Sequence, residues 1–303
     1  MARLRLAGLT IALLAAACGG TPGVGAVDGV VTEDVTFESR GANVPATYVR
    51  PAAADAAPFP VVILAHGHGG TRDEAGGFRR LAEALGRRGI ATIRPDFPGC
   101  GQSNEPFTHN NLSNMLADAR AALAYVWQQP GTDPGRNGIV GYSMGARVAM
   151  LLLPDGFRAA ALWAPAGLDG PDALFPFFGG ESSYVELRDR ARSTGTATFV
   201  TPWDQQQTLG RQWFDDLEGF RPMAALHSYN GALLVISGAA DGIIGPDIAR
   251  AVAAAATSSD SARLEIGPGA GHGLGFYDDD PAVSERVIQA TADFLVAELF
   301  RNR

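Results

Sequence analysis

Five residues, Gly141-Tyr142-Ser143-Met144-Gly145, constrain this chain more than any others. They follow a short apolar run, Gly138-Ile139-Val140, and precede a helix-forming run from Ala146 to Leu153. Strand, tight turn and helix in that order set the serine on a strained backbone corner with its hydroxyl presented at a strand end. At such a corner the strand and helix approach closely, so small residues must flank the serine. Gly141, Gly145 and Ala146 supply that space. The pattern alone is weak in a chain with 38 glycines among 303 residues, and its placement gives it weight.

The rest of the chain reads as a sheet built around that corner. Val30 to Ser39 and Val44 to Arg50 alternate apolar and polar residues, predicting an antiparallel hairpin around Gly41-Ala42-Asn43. Val61 to Ala65 is continuously apolar, as in a parallel strand covered on both faces. Helix-like and strand-like segments then alternate. Helices are expected over Phe78 to Arg88, Leu112 to Gln128, Pro246 to Ala256 and Pro281 to Phe300, the last capped by Asp280. Strands are expected over Ile90 to Ile93, Ala159 to Ala164, Gly231 to Ser237 and Arg263 to Ile266. This order predicts an α/β fold with a mostly parallel central sheet and helices on both faces. One stretch breaks the rhythm. Residues 167 to 226 are far too many for a strand-to-helix connection, are rich in aromatic residues, and are expected to form a cap over the sheet edge that carries Ser143. Most of those aromatics should form the cap's own core, with Trp203, Trp213 or Phe214 facing a substrate pocket.

A serine hydroxyl needs a base to take its proton, and the base needs an acid to orient it. Downstream of Ser143 there are two histidines. His227 ends the cap, whereas His272 lies in Gly269-Ala270-Gly271-His272-Gly273, between the last strand and the last helix. Loops at the carboxyl ends of parallel strands carry function in α/β sheets, so His272 is the expected base. Asp241 runs off another strand end, after Leu233 to Ser237, and is the expected acid. Asp247 suits the first turn of the following helix, and Asp169 and Asp172 are the other candidates. The oxyanion formed on attack needs backbone N–H donors. Met144 supplies one, and the loop His66-Gly67-His68-Gly69-Gly70 is expected to supply the other from the amide of His68. His66 and His68 have no Asp, Glu or Cys close by in that loop, so no metal site and no cofactor are expected.

These residues together resemble the α/β-hydrolases, over roughly Pro60 to Phe300. The loop His66 to Gly70 is similar to their His-Gly-x-x-Gly oxyanion loop, and Ser143, Asp241 and His272 stand at the family's triad positions. Asp96-x-x-Gly99-x-Gly101-x-Ser103 resembles the loop after the next strand in many esterases of that family. The cap, with Trp213-Phe214-Asp215-Asp216-Leu217, is similar to that of feruloyl and cinnamoyl esterases and relatives near the dienelactone hydrolases. Dienelactone hydrolases carry a cysteine where this chain has Ser143, so the resemblance implies ordinary ester hydrolysis through an acyl-enzyme. A serine peptidase or amidase of the same fold, or a catalytically silent binding protein, are the alternatives.

Arg3 and Arg5 followed by the apolar stretch Leu6 to Ala17 read as an export signal too short to span a bilayer. Ala15-Ala16-Ala17-Cys18 resembles a bacterial lipobox, although Ala15 stands where a larger aliphatic residue is usual. Residues 1–17 are thus expected to be a lipoprotein-type signal, with Cys18 acylated, 18–29 a flexible tether and 30–303 the hydrolase domain. Ordinary cleavage after Ala17 or Ala26, giving a secreted soluble protein, is the alternative. Cys100 is then left unpaired, and no intrachain disulfide is expected. A formal charge of −8 without a Lys/Arg cluster argues against nucleic acid as a partner. A small ester substrate, and a membrane through the lipid anchor, are the expected partners.

Overall fold

A computed structural model describes residues 25–27, 29–52, 58–277 and 279–301. The expected signal segment and Cys18 lie outside the described residues. In chain order the elements are β1 (Gly25–Val27), β2 (Val30–Ser39), β3 (Ala42–Pro51), β4 (Phe59–Ala65), α1 (Gly77–Gly86), β5 (Ala91–Pro95), α2 (Leu112–Trp127), β6 (Thr132–Tyr142), α3 (Met144–Leu152) and β7 (Ala159–Trp163). The cap follows with α4 (Glu181–Thr194), β8 (Thr196–Val200), β9 (Gln206–Gly210), α5 (Arg211–Gly219) and α6 (Pro222–His227). The chain then returns to the sheet through β10 (Ala232–Gly238), α7 (Pro246–Ala255), β11 (Ser261–Gly267) and α8 (Pro281–Leu299).

One nine-stranded sheet runs in the order β1-β2-β3-β5-β4-β6-β7-β10-β11. The pairs β1/β2, β2/β3 and β3/β5 are antiparallel, and from β5 to β11 every neighbour is parallel. Strands β4, β7 and β10 are buried along their whole length, which is why their sequences, Ser237 apart, are apolar runs rather than alternating ones. Helices α2, α3 and α7 pack one face, where Met115, Val148 and Val252 join the larger apolar cluster. Helices α1 and α8 cover the other face through Phe78, Leu81, Ile288 and Leu295. Asp280 caps α8 as expected, accepting from the N–H groups of Ala282 and Val283 at 3.1 Å each.

Three sequence expectations need correction. The first hairpin turns at Arg40-Gly41 and not around Ala42, because Ser39 pairs directly with Ala42 and both turn residues take positive φ, 57° and 75°. Arg40 tolerates that conformation while its guanidinium bonds Asp118 and Glu105. Second, the strand before Ser143 is much longer than Gly138 to Val140, since its first half, Thr132-Asp133-Pro134-Gly135-Arg136-Asn137, carries no apolar signal. Third, Gly25–Val27 falls inside the stretch expected to be a tether, yet it pairs with Val30 to Thr32 across a turn at Gly29, where φ is 84°.

The long insertion between β7 and β10 is anchored at both ends. Arg147 of α3 is fully buried and reaches up from the corner helix. It donates to the carbonyls of Ala166 (2.7 Å), Gly170 (2.8 Å) and Leu168. Burial pushes its pKa down to about 10. At the far end, Asp216 of α5 accepts from the N–H and the hydroxyl of Ser113 at the start of α2, at 2.7 and 2.9 Å. The insertion is therefore fastened to the two helices that flank Ser143, and it covers that edge of the sheet.

Candidate active site

Because β6 ends at Tyr142 and α3 begins at Met144, the whole change of direction falls on Ser143. Its φ of 52° and ψ of −113° are far from the regions where a residue with a Cβ rests. Such a conformation costs about 1–3 kcal/mol and needs support. The Ser143 N–H donates to the Trp163 carbonyl at 2.8 Å, while its own carbonyl accepts from Ala146 and Ala166 at 3.1 and 3.2 Å. A Cβ on Gly145 would collide with the carbonyl oxygen of Ala65, and one on Gly141 would collide with Gly145. The corner is possible only with glycine at both places.

The loops leaving β10 and β11 converge on that serine. His272 Nε2 lies 3.1 Å from Ser143 Oγ, and His272 Nδ1 lies 2.8 Å from Asp241 Oδ2. The other oxygen of Asp241 accepts from the N–H groups of Ile243 and Ile244 at 2.9 and 2.8 Å. With Oδ1 committed in this way, Oδ2 is left to accept from the ring. The network thus assigns the proton to Nδ1 and leaves a lone pair on Nε2 facing the serine hydroxyl. The two loops are also tied to each other, since Ala239 and Ala240 donate to the carbonyls of Gly267 and Ala270, both at 2.9 Å. The Tyr142 hydroxyl, one residue before the serine, donates to the His272 carbonyl at 3.2 Å.

The other candidates sit elsewhere. Asp247 is exposed on the first turn of α7 and pairs with Arg250 at 2.7 Å. Asp169 accepts from the N–H of Met223 at 3.0 Å, closing the base of the cap. His227 is exposed at the end of α6.

Residues His66 to Gly70 run along the floor of the site. The His66 Nδ1–H donates to the Gly67 carbonyl at 2.8 Å and Nε2 accepts from the Phe97 N–H at 3.0 Å. Both ring nitrogens are thereby committed, and burial holds the ring's pKa below its ordinary value. His68 Nε2 donates to Gln207 Oε1 at 2.7 Å, and burial pushes this ring down to about 4. Its ring stands edge-on to Phe107, Phe177 and Trp213. Among the described residues, no group of three or more His, Cys, Asp and Glu is arranged to hold a metal.

A cavity of about 440 Å³ opens over Ser143. His68, Met144 and His272 line it from the sheet edge, while Leu174, Phe177, Trp203 and Trp213 line it from the cap. Trp203 is 44% exposed and sits at the mouth. Phe214 is the exception among the expected pocket residues. It is fully buried in the cap core against Phe178, Tyr184 and Trp213. Successive residues on a helix point about 100° apart, so α5 cannot aim both Trp213 and Phe214 at the cavity.

Two lining residues had no signal in the sequence. Glu74 lies in a charged turn, Thr71-Arg72-Asp73-Glu74, that reads as solvated surface, yet it is 1% exposed. Tyr277, from the loop before α8, donates its hydroxyl to Glu74 Oε1. Burial pushes the Glu74 carboxyl up to about 7, against the opposing bonds from Tyr277 and the Gly67 N–H.

Comparison with known proteins agrees with this architecture. The model of the alpha/beta hydrolase family matches residues 62–286. An uncharacterized protein of Mycobacterium tuberculosis is 28% identical over 213 residues, which is 70% of this chain and 63% of that protein, so the chain spans less than two thirds of that relative. Est1E from Butyrivibrio proteoclasticus, solved with ferulic acid bound, superposes with a TM-score of 0.68 at 19% identity, covering 88% of this chain and 100% of the other. The esterase domain of a Rhodothermus marinus protein superposes with a TM-score of 0.62 at 21% identity, covering 87% and 99%. At those identities the two structures speak for the fold alone. From the family match that runs from β4 to the start of α8 and includes Ser143, Asp241 and His272, the chain belongs to the alpha/beta hydrolase family.

Proposed function

We propose that this hydrolase is a serine carboxylesterase that works through an acyl-enzyme. The observation that carries the reading is the unbroken hydrogen-bonded chain from Ser143 through His272 to Asp241, with a strained serine at its head and an apolar cavity above it. Ser143 Oγ attacks the ester carbonyl as His272 Nε2 takes its proton. Asp241 keeps the ring in the tautomer that can accept it and stabilises the imidazolium that forms. The amides of Met144 and His68 are the donors for the oxygen that becomes negative. His272 then returns the proton to the departing alcohol, and water repeats the cycle on the acyl-enzyme with His272 as base.

The apolar lining from Leu174, Phe177, Trp203 and Trp213 favours an acyl or aryl group and keeps bulk water from the acyl-enzyme. The ferulic acid held by Est1E supports the same inference by fold alone. The N-terminal sequence supports export and attachment through Cys18.

The decisive experiment compares the wild-type protein with Ser143→Ala on a panel of p-nitrophenyl esters and matched anilides, with labelling by a fluorophosphonate. The expected result is ester turnover and labelling in the wild type alone, with a loss of several orders of magnitude in the variant. Equal turnover by the purified variant, or anilides cleaved faster than esters, would overturn the assignment.

A further inference from the structure

Gly67 is the hinge of the floor loop, and three groups hold it. Its carbonyl is the other end of the peptide plane that carries the His68 N–H, and it accepts from His66 Nδ1 (2.8 Å) and from the Gly70 N–H (3.1 Å). Its own N–H donates to Glu74 Oε2 at 2.7 Å. Glycine is the residue freest to rotate, so the direction of the His68 N–H depends on what grips the two planes on either side of Gly67. His66 and Gly70 grip the plane that follows it. Glu74 grips the plane before it.

Glu74 is placed for this by an unusual turn. Glu74, Ala75 and Gly76 take φ values of 44°, 50° and 84° in succession, which folds the carboxylate back beneath the loop. The first two carry a Cβ and are strained there, and such strain persists only where the surroundings fix it. The turn is closed by Glu74 N–H to the Thr71 carbonyl and Gly77 N–H to the Glu74 carbonyl, both at 2.9 Å. The second carboxylate oxygen accepts from the Tyr277 hydroxyl. The Tyr277 ring lies nearly parallel to Tyr142, with centroids 6.2 Å apart, and Tyr142 packs on the His272 ring at 5.3 Å. A single carboxyl group thus joins the loop that bears the His68 amide to the wall that bears the base.

We propose that Glu74 is a positioning residue for the esterase reaction. By accepting from the Gly67 N–H it fixes the peptide that aims the His68 amide at the developing oxyanion, and it touches no reacting atom itself. This inference rests on the reading of Ser143 as nucleophile and of the His68 amide as oxyanion donor.

Three substitutions test it with a short p-nitrophenyl ester and an aliphatic trifluoromethyl ketone, whose adduct with a serine carries an oxyanion. Glu74→Leu keeps the bulk and removes the acceptor. It should lower kcat by roughly 10- to 100-fold, short of the loss seen when a donor is deleted outright. KM should stay within about twofold, and the ketone should bind more weakly by the same factor as kcat falls. Glu74→Gln should restore kcat to within about threefold of wild type, because its amide oxygen can accept from Gly67 while its NH2 donates to Tyr277. If Glu74→Leu does not fold, Glu74→Asp answers the same question, since its oxygens are withdrawn by one methylene and it should show the same paired loss of kcat and ketone affinity. An active wild type with Leu and Asp variants equal to it overturns the proposal. So does a Gln variant that falls as far as Leu, because charge would then be the operative property. A wild type with no ester turnover, indistinguishable from Ser143→Ala, overturns the parent reading instead, and is recognised before any Glu74 variant is made.

Discussion

Replacing the buried carboxyl of Glu74 by an amide should change how stability depends on pH, in a direction that the structure fixes. Burial raises the folded-state pKa of Glu74 from an ordinary 4.5 to about 7, while the bonds from Tyr277 and Gly67 pull the other way and lose. The folded protein therefore holds a proton between those values that the unfolded chain has released. Stability from this group is complete below pH 4.5 and is lost as pH rises through 7. A shift of that size corresponds to about 3 kcal/mol, most of which falls between pH 5 and pH 8. The hydroxyl that bonds it and the nearby thiol stay protonated over that range. Burial raises the Tyr277 hydroxyl well above its usual range and pushes the Cys100 thiol up to about 12. The His66 and His68 rings, both lowered by burial, work in the opposite sense, their stability being present above 6.5 and lost as pH falls. They are common to both proteins and cancel in the difference. Urea unfolding of wild type and Glu74→Gln from pH 5 to pH 8 should thus show the variant gaining roughly 2–3 kcal/mol relative to wild type as pH rises. For a domain of this size the matching change in Tm is roughly 5–10 °C. A difference between the two proteins that is flat with pH to within about 0.5 kcal/mol would refute the reasoning, because Glu74 would then titrate alike in the folded and unfolded chains.

Gly145→Ala should lower soluble yield or Tm sharply and reduce kcat in whatever folds, because the new methyl must push the corner helix away from the carbonyl of Ala65; a normal Tm with normal turnover would refute the packing argument. Asp241→Asn should lower kcat by about 10⁴-fold, as its oxygen stays on the amides of Ile243 and Ile244 and its NH2 forces the His272 proton onto Nε2. Asp169→Asn should stay near wild type in the same assay, since an amide oxygen can still accept from Met223. Trp203→Ala should alter the ratio of turnover between aryl and acetyl esters with little change in Tm, whereas Phe214→Ala should cost about 3–5 kcal/mol in urea unfolding and leave that ratio alone.

The parts of this molecule legible in its sequence are those in which local pattern alone fixes a residue's place in the fold. Ser143 is visible because only a strand–glycine–serine–glycine–helix succession makes its corner. Asp241 is visible because it follows the apolar run of β10, and His272 because it lies in a glycine-rich loop between the short last strand and the last helix, so a parallel sheet delivers both to one edge. The His66 ring is a different case. In the sequence it is one of two neighbouring histidines, and only the fold reveals that it clamps the Gly67 carbonyl rather than facing the cavity.

What stayed hidden depends on how elements dock, which no local pattern records. Trp213 and Phe214 are adjacent, equally apolar and equally good candidates for the pocket. Their fates part only because Asp216 fastens α5 to Ser113 and fixes the rotation of that helix about its axis. Glu74 is hidden for a deeper reason. A charged residue in a charged turn is ordinarily solvated, and the expectation fails only where the chain spends backbone strain to bury it. Strain of that kind accompanies a requirement elsewhere. Here the requirement is a glycine that must keep one orientation although nothing in its own side chain can enforce it. The carboxyl beneath Gly67 and the strained serine above it answer one demand of the proposed reaction, that backbone amides keep their aim while Ser143 acts as nucleophile.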